Sequence, residues 1–210
     1  MIVLPARGLY AITSEAVCSE PARLLRAVAA ALHGGAKLIQ YRDKRSDAIT
    51  RRCNAQLLQA LCREAAVPLL INDGPVEFVV QGGFDGMHLG SSDGDLAPAR
   101  AQCPQTLIGA TCGQSLARAE AAVQAGASYV AFGAFYPSAT KPDAQHAPLA
   151  LLTAARTALT VPICAIGGIT PANAAPLIAA GAHYIAAIEG VFGAPDIEAA
   201  ARAYARLFAD

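Results

Sequence analysis

Three phrases, HGGAKLIQ at 33–40, QAGASYVAF at 124–132 and AAGAHYIAAI at 179–188, repeat one pattern: the end of a helix, a glycine–alanine turn, and a short apolar strand. A chain that returns from helix to strand through the same turn is restricted to αβ units whose strands run parallel, because sequential parallel strands need a crossover helix between them. Eight short apolar runs fit that plan, and strands are predicted at 9–13, 37–41, 68–72, 86–89, 107–111, 129–132, 163–166 and 184–188. None alternates cleanly between apolar and polar residues, as expected of parallel strands covered on both faces. Between them lie segments of helical period, including 21–32, 47–65, 115–125, 171–180 and 197–208. The chain has 210 residues, at the short end of what a (β/α)8 barrel needs. The reading is an α/β fold, a single-domain (β/α)8 TIM barrel over 1–210, with an open doubly wound sheet as the alternative that the repeated phrase favours less.

Local signals support the helices. Ser46 or Asp47 can cap the second, Thr170 followed by Pro171 reads as an N-cap and first helical residue, and Gly34, Gly126 and Gly181 stand where helices should stop. Hydrophobic residues make up 54% of the chain and Lys plus Arg balances Asp plus Glu at 16 each, so the core is large and there is no basic footprint for nucleic acid or an anionic membrane. Six cysteines without close pairing or a CxxC argue against a zinc cage or a redox motif, and most should be buried thiols. The start MIVLPARGLYAIT lacks the features of a secretory leader, and a cytoplasmic location is expected.

Five of the apolar runs end in polar or glycine residues: KLIQY before Arg42 and Lys44, PLLI before Asn72 and Asp73, MHLG before Asp93, VAFGAFYPS before Thr140 and Lys141, and ICAI before Gly167 and Gly168. In a parallel barrel these ends meet on one face. Cations suit phosphate oxygens, two carboxylates suit a hard divalent metal, and glycines let a phosphate approach backbone N–H groups. The expected ligand is therefore phosphorylated, more than once. Taken singly, Arg42 and Lys44 read equally as solvated charges, and Asp73 and Asp93 as turn and cap residues. His33, His88, His146 and His183 show no metal-ligand spacing, and packing or surface roles are expected for all four.

Together these segments resemble the thiamine phosphate synthase family over nearly the whole chain, through QYRDK at 40–44, Asn72 with Asp73, HLGSSD at 88–93, SATK at 138–141 and AIGGIT at 165–170. The resemblance implies a transferase that couples 4-amino-5-hydroxymethyl-2-methylpyrimidine diphosphate to 4-methyl-5-(2-phosphooxyethyl)thiazole, giving thiamine phosphate and diphosphate. It further implies that Gln40, Tyr41, Arg42, Asp43, Lys44, Asn72, Thr111 and Lys141 hold the pyrimidine diphosphate and that Asp73 and Asp93 bind Mg2+. By the same resemblance Ser138, Ala139, Thr140, Gly168 and the backbone at Ile188 and Glu189 hold the thiazole phosphate. Arg42, Lys44 and Lys141 would be the catalytic cations, neutralising charge on the departing diphosphate.

Four positions depart from the family pattern: Asp43 stands for Glu, Thr111 for Ser, Ser138 for Thr and Glu189 for Ser. The first three keep the functional group. A carboxylate at 189 would repel a phosphate if it faced inward, so its side chain is expected to point outward. The loop 137–148 is longer than most βα loops and is a candidate lid. Competing readings are a thiazole tautomerase of the same superfamily, another barrel enzyme acting on a phosphorylated sugar, and a silent module that binds thiamine phosphate. None of the three accounts for the full set of cations and carboxylates.

Overall fold

A computed structural model describes residues 3–72, 74–90, 95–137 and 146–209. The elements in chain order are β1 (Gly8–Ile12), α1 (Pro21–His33), β2 (Leu38–Tyr41), α2 (Ala48–Glu64), β3 (Leu69–Asn72), α3 (Val76–Gly82), β4 (Gly86–Leu89), α4 (Leu96–Gln102) and β5 (Leu107–Gly113), followed by α5 (Leu116–Gln124), β6 (Tyr129–Phe132), α6 (Ala150–Ala158), β7 (Ile163–Ile166), α7 (Ala175–Ala179), β8 (Tyr184–Ala187), α8 (Glu189–Phe192) and α9 (Ile197–Ala205), with a 3-10 turn at Arg206–Phe208. The eight strands pair in parallel, each with the next and β8 with β1, and close the barrel. The open-sheet alternative is thereby overturned: the strand ladder has no edge.

Strands expected at 86–89, 129–132 and 163–166 form as read, and the others shift by a residue at an end, apart from β5. That strand continues to Gly113 because it bulges against β6, where Thr111 pairs with Ala131 but Gly113 with Phe132. The second helix is capped by Asp47, whose Oδ1 accepts the Thr50 N–H at 2.8 Å. Gly126 and Gly181 follow their helices with φ of +96° and +116°, but after α1 the left-handed residue is Gly35, not Gly34. A larger correction concerns the seventh helix, expected from Pro171. It starts at Ala175: Pro176 has no N–H to give the Ala172 carbonyl and so cannot sit inside a helix begun at 171, only in a first turn, and 170–173 closes instead as a turn through the Asn173 N–H to the Thr170 carbonyl at 3.1 Å.

Two apolar layers follow from the alternation of side chains along each strand. One, including Leu9, Ile39, Leu58, Met87, Phe132 and Leu152, lies between the sheet and the helices, and the other fills the barrel with Tyr10, Ile12, Leu38, Leu70, Tyr129, Cys164 and Tyr184. Barrels of this kind are mostly filled by branched aliphatics. Here three tyrosines meet inside, Tyr129 standing edge-on to Tyr10 at 5.8 Å and to Tyr184 at 6.2 Å between ring centres. Glycine makes the room: a Cβ on Gly109 would lie 2.0 Å from the Tyr129 Cζ.

At the opposite end from the strand C-termini, polar clamps tie helices to the sheet. Asp85 accepts the Leu69 N–H and the Gln59 Nε2–H, both at 2.9 Å, and Arg100 donates to the carbonyls of Cys103, Pro104, Thr106 and Gly126. The bond to the buried Leu69 N–H satisfies a group that would otherwise cost about 1–3 kcal/mol. Cys18, Cys62, Cys103, Cys112 and Cys164 are buried thiols as expected, while Cys53 is exposed. Among the described residues no helix is long and apolar enough to cross a membrane.

Candidate active site

Strand register sets which side chains reach the C-terminal mouth. Gln40 pairs with Ile12 and Leu70, Asn72 with His88, and Thr111 with Ala131. Since Leu38, Leu70 and Tyr129 belong to the interior layer, Gln40 shares their face, as do Asn72, His88 and Thr111 two residues along their own strands from Leu70, Gly86 and Gly109. Gln40 is buried, and Asn72 and Thr111 are half-buried. Three of the expected ligand-binding side chains are thus brought together from β2, β3 and β5.

Arg42 follows β2 and is held by its backbone. Thr13, the residue after β1, is fully buried; its Oγ1 accepts the Arg42 N–H at 2.8 Å and donates to the Arg42 carbonyl at 3.0 Å, and the Cys18 Sγ–H reaches the same carbonyl at 3.4 Å. The guanidinium is half-buried with Glu15 at 4.0 Å, whereas Arg45 holds Glu15 at 2.7 Å. At the outer limit of ion-pair distance Glu15 competes weakly for Arg42. Lys44 stands exposed on the same loop.

Tyr41 and Asp43 behave differently from their expected role. By alternation Tyr41 faces the helices, where its hydroxyl donates to Asp43 Oδ2 at 2.9 Å and accepts from the Asn54 Nδ2 at 3.3 Å. Asp43 Oδ1 accepts the N–H groups of Arg45 and Ser46, each at 3.0 Å. Burial works against the ionised carboxyl, but the bonds from Ser46, Arg45 and Tyr41 outweigh it and hold its pKa below the ordinary aspartate value. Both side chains shape the Arg42–Lys44 loop. Tyr41, Asp43 and Asn72 also line a mostly apolar cavity of about 300 Å3 between α2 and α3, with Ile71, Pro75 and Phe78.

After β7, the two glycines have φ of +103° and +62°. Each is pressed by the segment after β6: a Cβ on Gly167 would lie 2.4 Å from the Ala134 Cβ, and one on Gly168 2.2 Å from the Pro137 carbonyl oxygen. That segment is tied down by Phe135 N–H to the Ile166 carbonyl and Tyr136 N–H to the Gly167 carbonyl. Asn173 completes the turn, donating from Nδ2 to the Gly168 carbonyl at 3.1 Å, and Tyr136 donates to the Asn173 carbonyl at 2.9 Å. The Tyr204 hydroxyl donates to the Ile169 carbonyl at 2.8 Å, and a Cβ on Gly190 would lie 2.2 Å from it, so this phenol, its pKa pushed up to about 12 by burial, braces the β7 and β8 loops together. Ile188 packs against the interior layer, and Glu189 is exposed with its Oε2 folded back beside Gly193.

Sequence reading missed Thr13, Asn173 and the hydrogen bonds of His88. Thr13 read as the end of a strand and Asn173 as a helix interior. His88 was expected to pack or lie at the surface; it is buried, with its Nε2 2.8 Å from the Thr111 Oγ1. His183 fits the expectation, accepting the Ile163 N–H on Nδ1, with its pKa lowered by burial and by Arg156, and His33 and His146 are exposed. Asp73, Asp93, Ser138, Ala139, Thr140 and Lys141, and with them most of the candidate lid, lie outside the described residues.

A family model described as thiamine monophosphate synthase matches residues 9–191. The thiamine-phosphate synthase of Thiobacillus denitrificans is 50% identical over 203 residues, covering 96% of this chain and 95% of that protein, and that of Aromatoleum aromaticum is 49% identical over 203 residues, covering 96% of each. Among solved structures, thiamine phosphate pyrophosphorylase from Pyrococcus furiosus superposes with a TM-score of 0.86 at 30% identity, covering 96% of this chain and 95% of that one.

Proposed function

The chain belongs to the thiamine monophosphate synthase family, and from that premise we propose that it forms thiamine phosphate from 4-amino-5-hydroxymethyl-2-methylpyrimidine diphosphate and 4-methyl-5-(2-phosphooxyethyl)thiazole. The observation that carries the site assignment is the convergence of Gln40, Asn72 and Thr111 on one barrel mouth, beside Arg42 and the Gly167–Gly168 turn. Gln40, Asn72 and Thr111 offer hydrogen bonds to a polar ring and its diphosphate, and the glycine turn offers backbone amides to the second phosphate.

The bond between the pyrimidine methylene carbon and the diphosphate oxygen breaks with its electron pair leaving on oxygen. The electron-rich aminopyrimidine stabilises the resulting cation, and the thiazole nitrogen then donates its lone pair to form the new C–N bond. No proton moves in either event, so the site needs no general base. Arg42, Lys44 and Lys141 neutralise the departing diphosphate, and the barrel mouth aligns the two rings. Asp73 and Asp93 are hard oxygen donors of the kind Mg2+ takes alongside phosphate oxygens, and they follow β3 and β4, which are paired neighbours. They would hold the ion, which when bound supplies further neutralisation of the diphosphate. Small molecules are the only partners this chemistry requires, in the cytoplasm.

The assignment is tested by following thiamine phosphate formation in the wild type and in Arg42→Met. Loss of a cation aimed at developing charge should lower kcat by about a hundredfold or more. Turnover unchanged in Arg42→Met would remove that residue from the leaving-group site. Isomerisation of a thiazole carboxylate phosphate with no thiamine phosphate formed would replace the whole reading by the tautomerase.

A further inference from the structure

A chain of hydrogen bonds crosses the barrel and ends on two of the residues assigned to the pyrimidine diphosphate. Gln40 Nε2 donates to the Tyr10 hydroxyl at 2.5 Å, the Tyr10 and Tyr129 hydroxyls are 2.7 Å apart, the Tyr129 hydroxyl is 2.7 Å from His88 Nδ1, and His88 Nε2 is 2.8 Å from Thr111 Oγ1. Its members come from β2, β1, β6, β4 and β5, and the Tyr10–Tyr129 bond spans strands that are not neighbours. Tyr10, Tyr129, Gln40 and His88 are all buried. The His88 ring also stacks on Tyr129 at 5.6 Å, and Gly109 leaves the space in which the Tyr129 phenol sits.

The direction of this chain follows from counting hydrogens. A tyrosine hydroxyl has one, and a buried one left unused costs about 1–3 kcal/mol. Tyr10 already accepts from Gln40, so its hydrogen goes to Tyr129; Tyr129 then spends its own on His88 Nδ1. With Nδ1 accepting, the hydrogen of neutral His88 sits on Nε2 and is donated to Thr111 Oγ1. Thr111 is then an acceptor toward the interior, and its own hydrogen is directed to the mouth. With the Gln40 carboxamide turned to donate, the reverse polarity would leave the Tyr10 hydrogen without an acceptor among the described residues. Burial pushes both tyrosines well above the ordinary phenol range, so both remain donors.

We infer that Tyr10, Tyr129 and His88 are positioning residues, a relay that couples Gln40 to Thr111 and makes Thr111 present a hydrogen-bond donor to the pyrimidine diphosphate. The inference rests on the reading of Gln40 and Thr111 as ligand-binding residues. None of the three relay residues touches the ligand: they act by fixing the tautomer of His88 and the direction of one hydroxyl.

The experiment has two arms. In the first, 15N NMR of the ring nitrogens of the intact, ligand-free wild type, assigned with a His88→Gln variant, should show His88 protonated on Nε2 alone. Protonation on Nδ1, or on both nitrogens, at pH 7.5 would overturn the relay whatever reaction the protein catalyses. In the second, Tyr129→Phe should lower kcat/KM for the pyrimidine diphosphate about tenfold, the equivalent of one hydrogen bond, with the thiazole phosphate KM unchanged. Adding Tyr129→Phe to Thr111→Val should cost nothing further, because the relay acts only through that hydroxyl. Losses that multiply, or that fall equally on both substrates, would show a merely structural role. Absence of thiamine phosphate formation in the wild type would sink the functional reading and leave the NMR arm standing.

Discussion

Replacing Gly168 by alanine separates two costs that the structure assigns to one position. Its φ of +62° lies in the left-handed region, where an L side chain costs about 1–2 kcal/mol. The added Cβ would also lie 2.2 Å from the Pro137 carbonyl oxygen and 2.6 Å from that of Tyr136. Neither atom is the tip of a flexible side chain, so the backbone must retreat by the order of 1 Å, at an overpacking cost of about 1–3 kcal/mol. Gly83 provides the control: its φ is +61°, nothing lies within 4 Å of its would-be Cβ, and it caps α3 away from the mouth. Gly83→Ala should therefore lose about 1–2 kcal/mol in urea titration and keep full activity. Gly168→Ala should lose roughly 2–5 kcal/mol and about a hundredfold in kcat/KM for the thiazole phosphate, since a displacement of about 1 Å in a positioning loop is worth that much. Equal stability losses in the two variants, with Gly168→Ala within twofold of wild-type activity, would refute the steric argument and the placement of this turn at the site.

Asn173→Ala removes the acceptor for the Thr170 N–H and the donor to the Gly168 carbonyl; the KM for the thiazole phosphate should rise several-fold while that for the pyrimidine diphosphate holds, and an equal rise in both would contradict its local role. Asp43 has a folded pKa below its unfolded value of about 3.9, so its ionised form stabilises the protein above that value and the contribution is lost as the pH falls through the folded pKa. Asp43→Asn should lower Tm at pH 7, and the gap from wild type should close below about pH 4; a gap independent of pH would deny the carboxylate this role. Mass spectrometry after brief maleimide treatment of the native protein should find one modified thiol, Cys53, with the five buried cysteines modified only in denaturant. Rapid modification of Cys18 would mean that the Arg42 loop opens readily.

The strands were legible because a parallel strand buried on both faces is a short apolar run with no competing signal, and the glycine–alanine phrase marked where three of them begin. The same recurring phrase favoured a barrel over an open sheet, and the pairing of β8 with β1 decides it. What stayed hidden lay in side-chain contacts and backbone turns that no local pattern of apolar and polar residues announces. Thr170–Pro171 carries a sound helix-start signal, yet Pro176 can enter a helix only in its first turn, so 170–173 closes as a separate turn and the helix waits until Ala175. Tyr41 sits within a motif whose neighbours Gln40 and Arg42 are proposed to serve the mouth, but strand alternation turns it to the helices. Gly109 reads as a weak point in a strand until the ring of Tyr129 is seen in its place, and nothing near Tyr10 in sequence announces that its hydroxyl meets one from residue 129. The polar mouth was legible as a set of strand ends; the aromatic floor beneath it was not.

The most direct test of the central claim is diphosphate release by the purified protein, measured with both substrates and Mg2+ and again with each of the three omitted. Release that requires both substrates and the metal, matched one to one by thiamine phosphate, is the expected result. No release under any of these conditions would contradict the account and leave the family membership as a statement of ancestry.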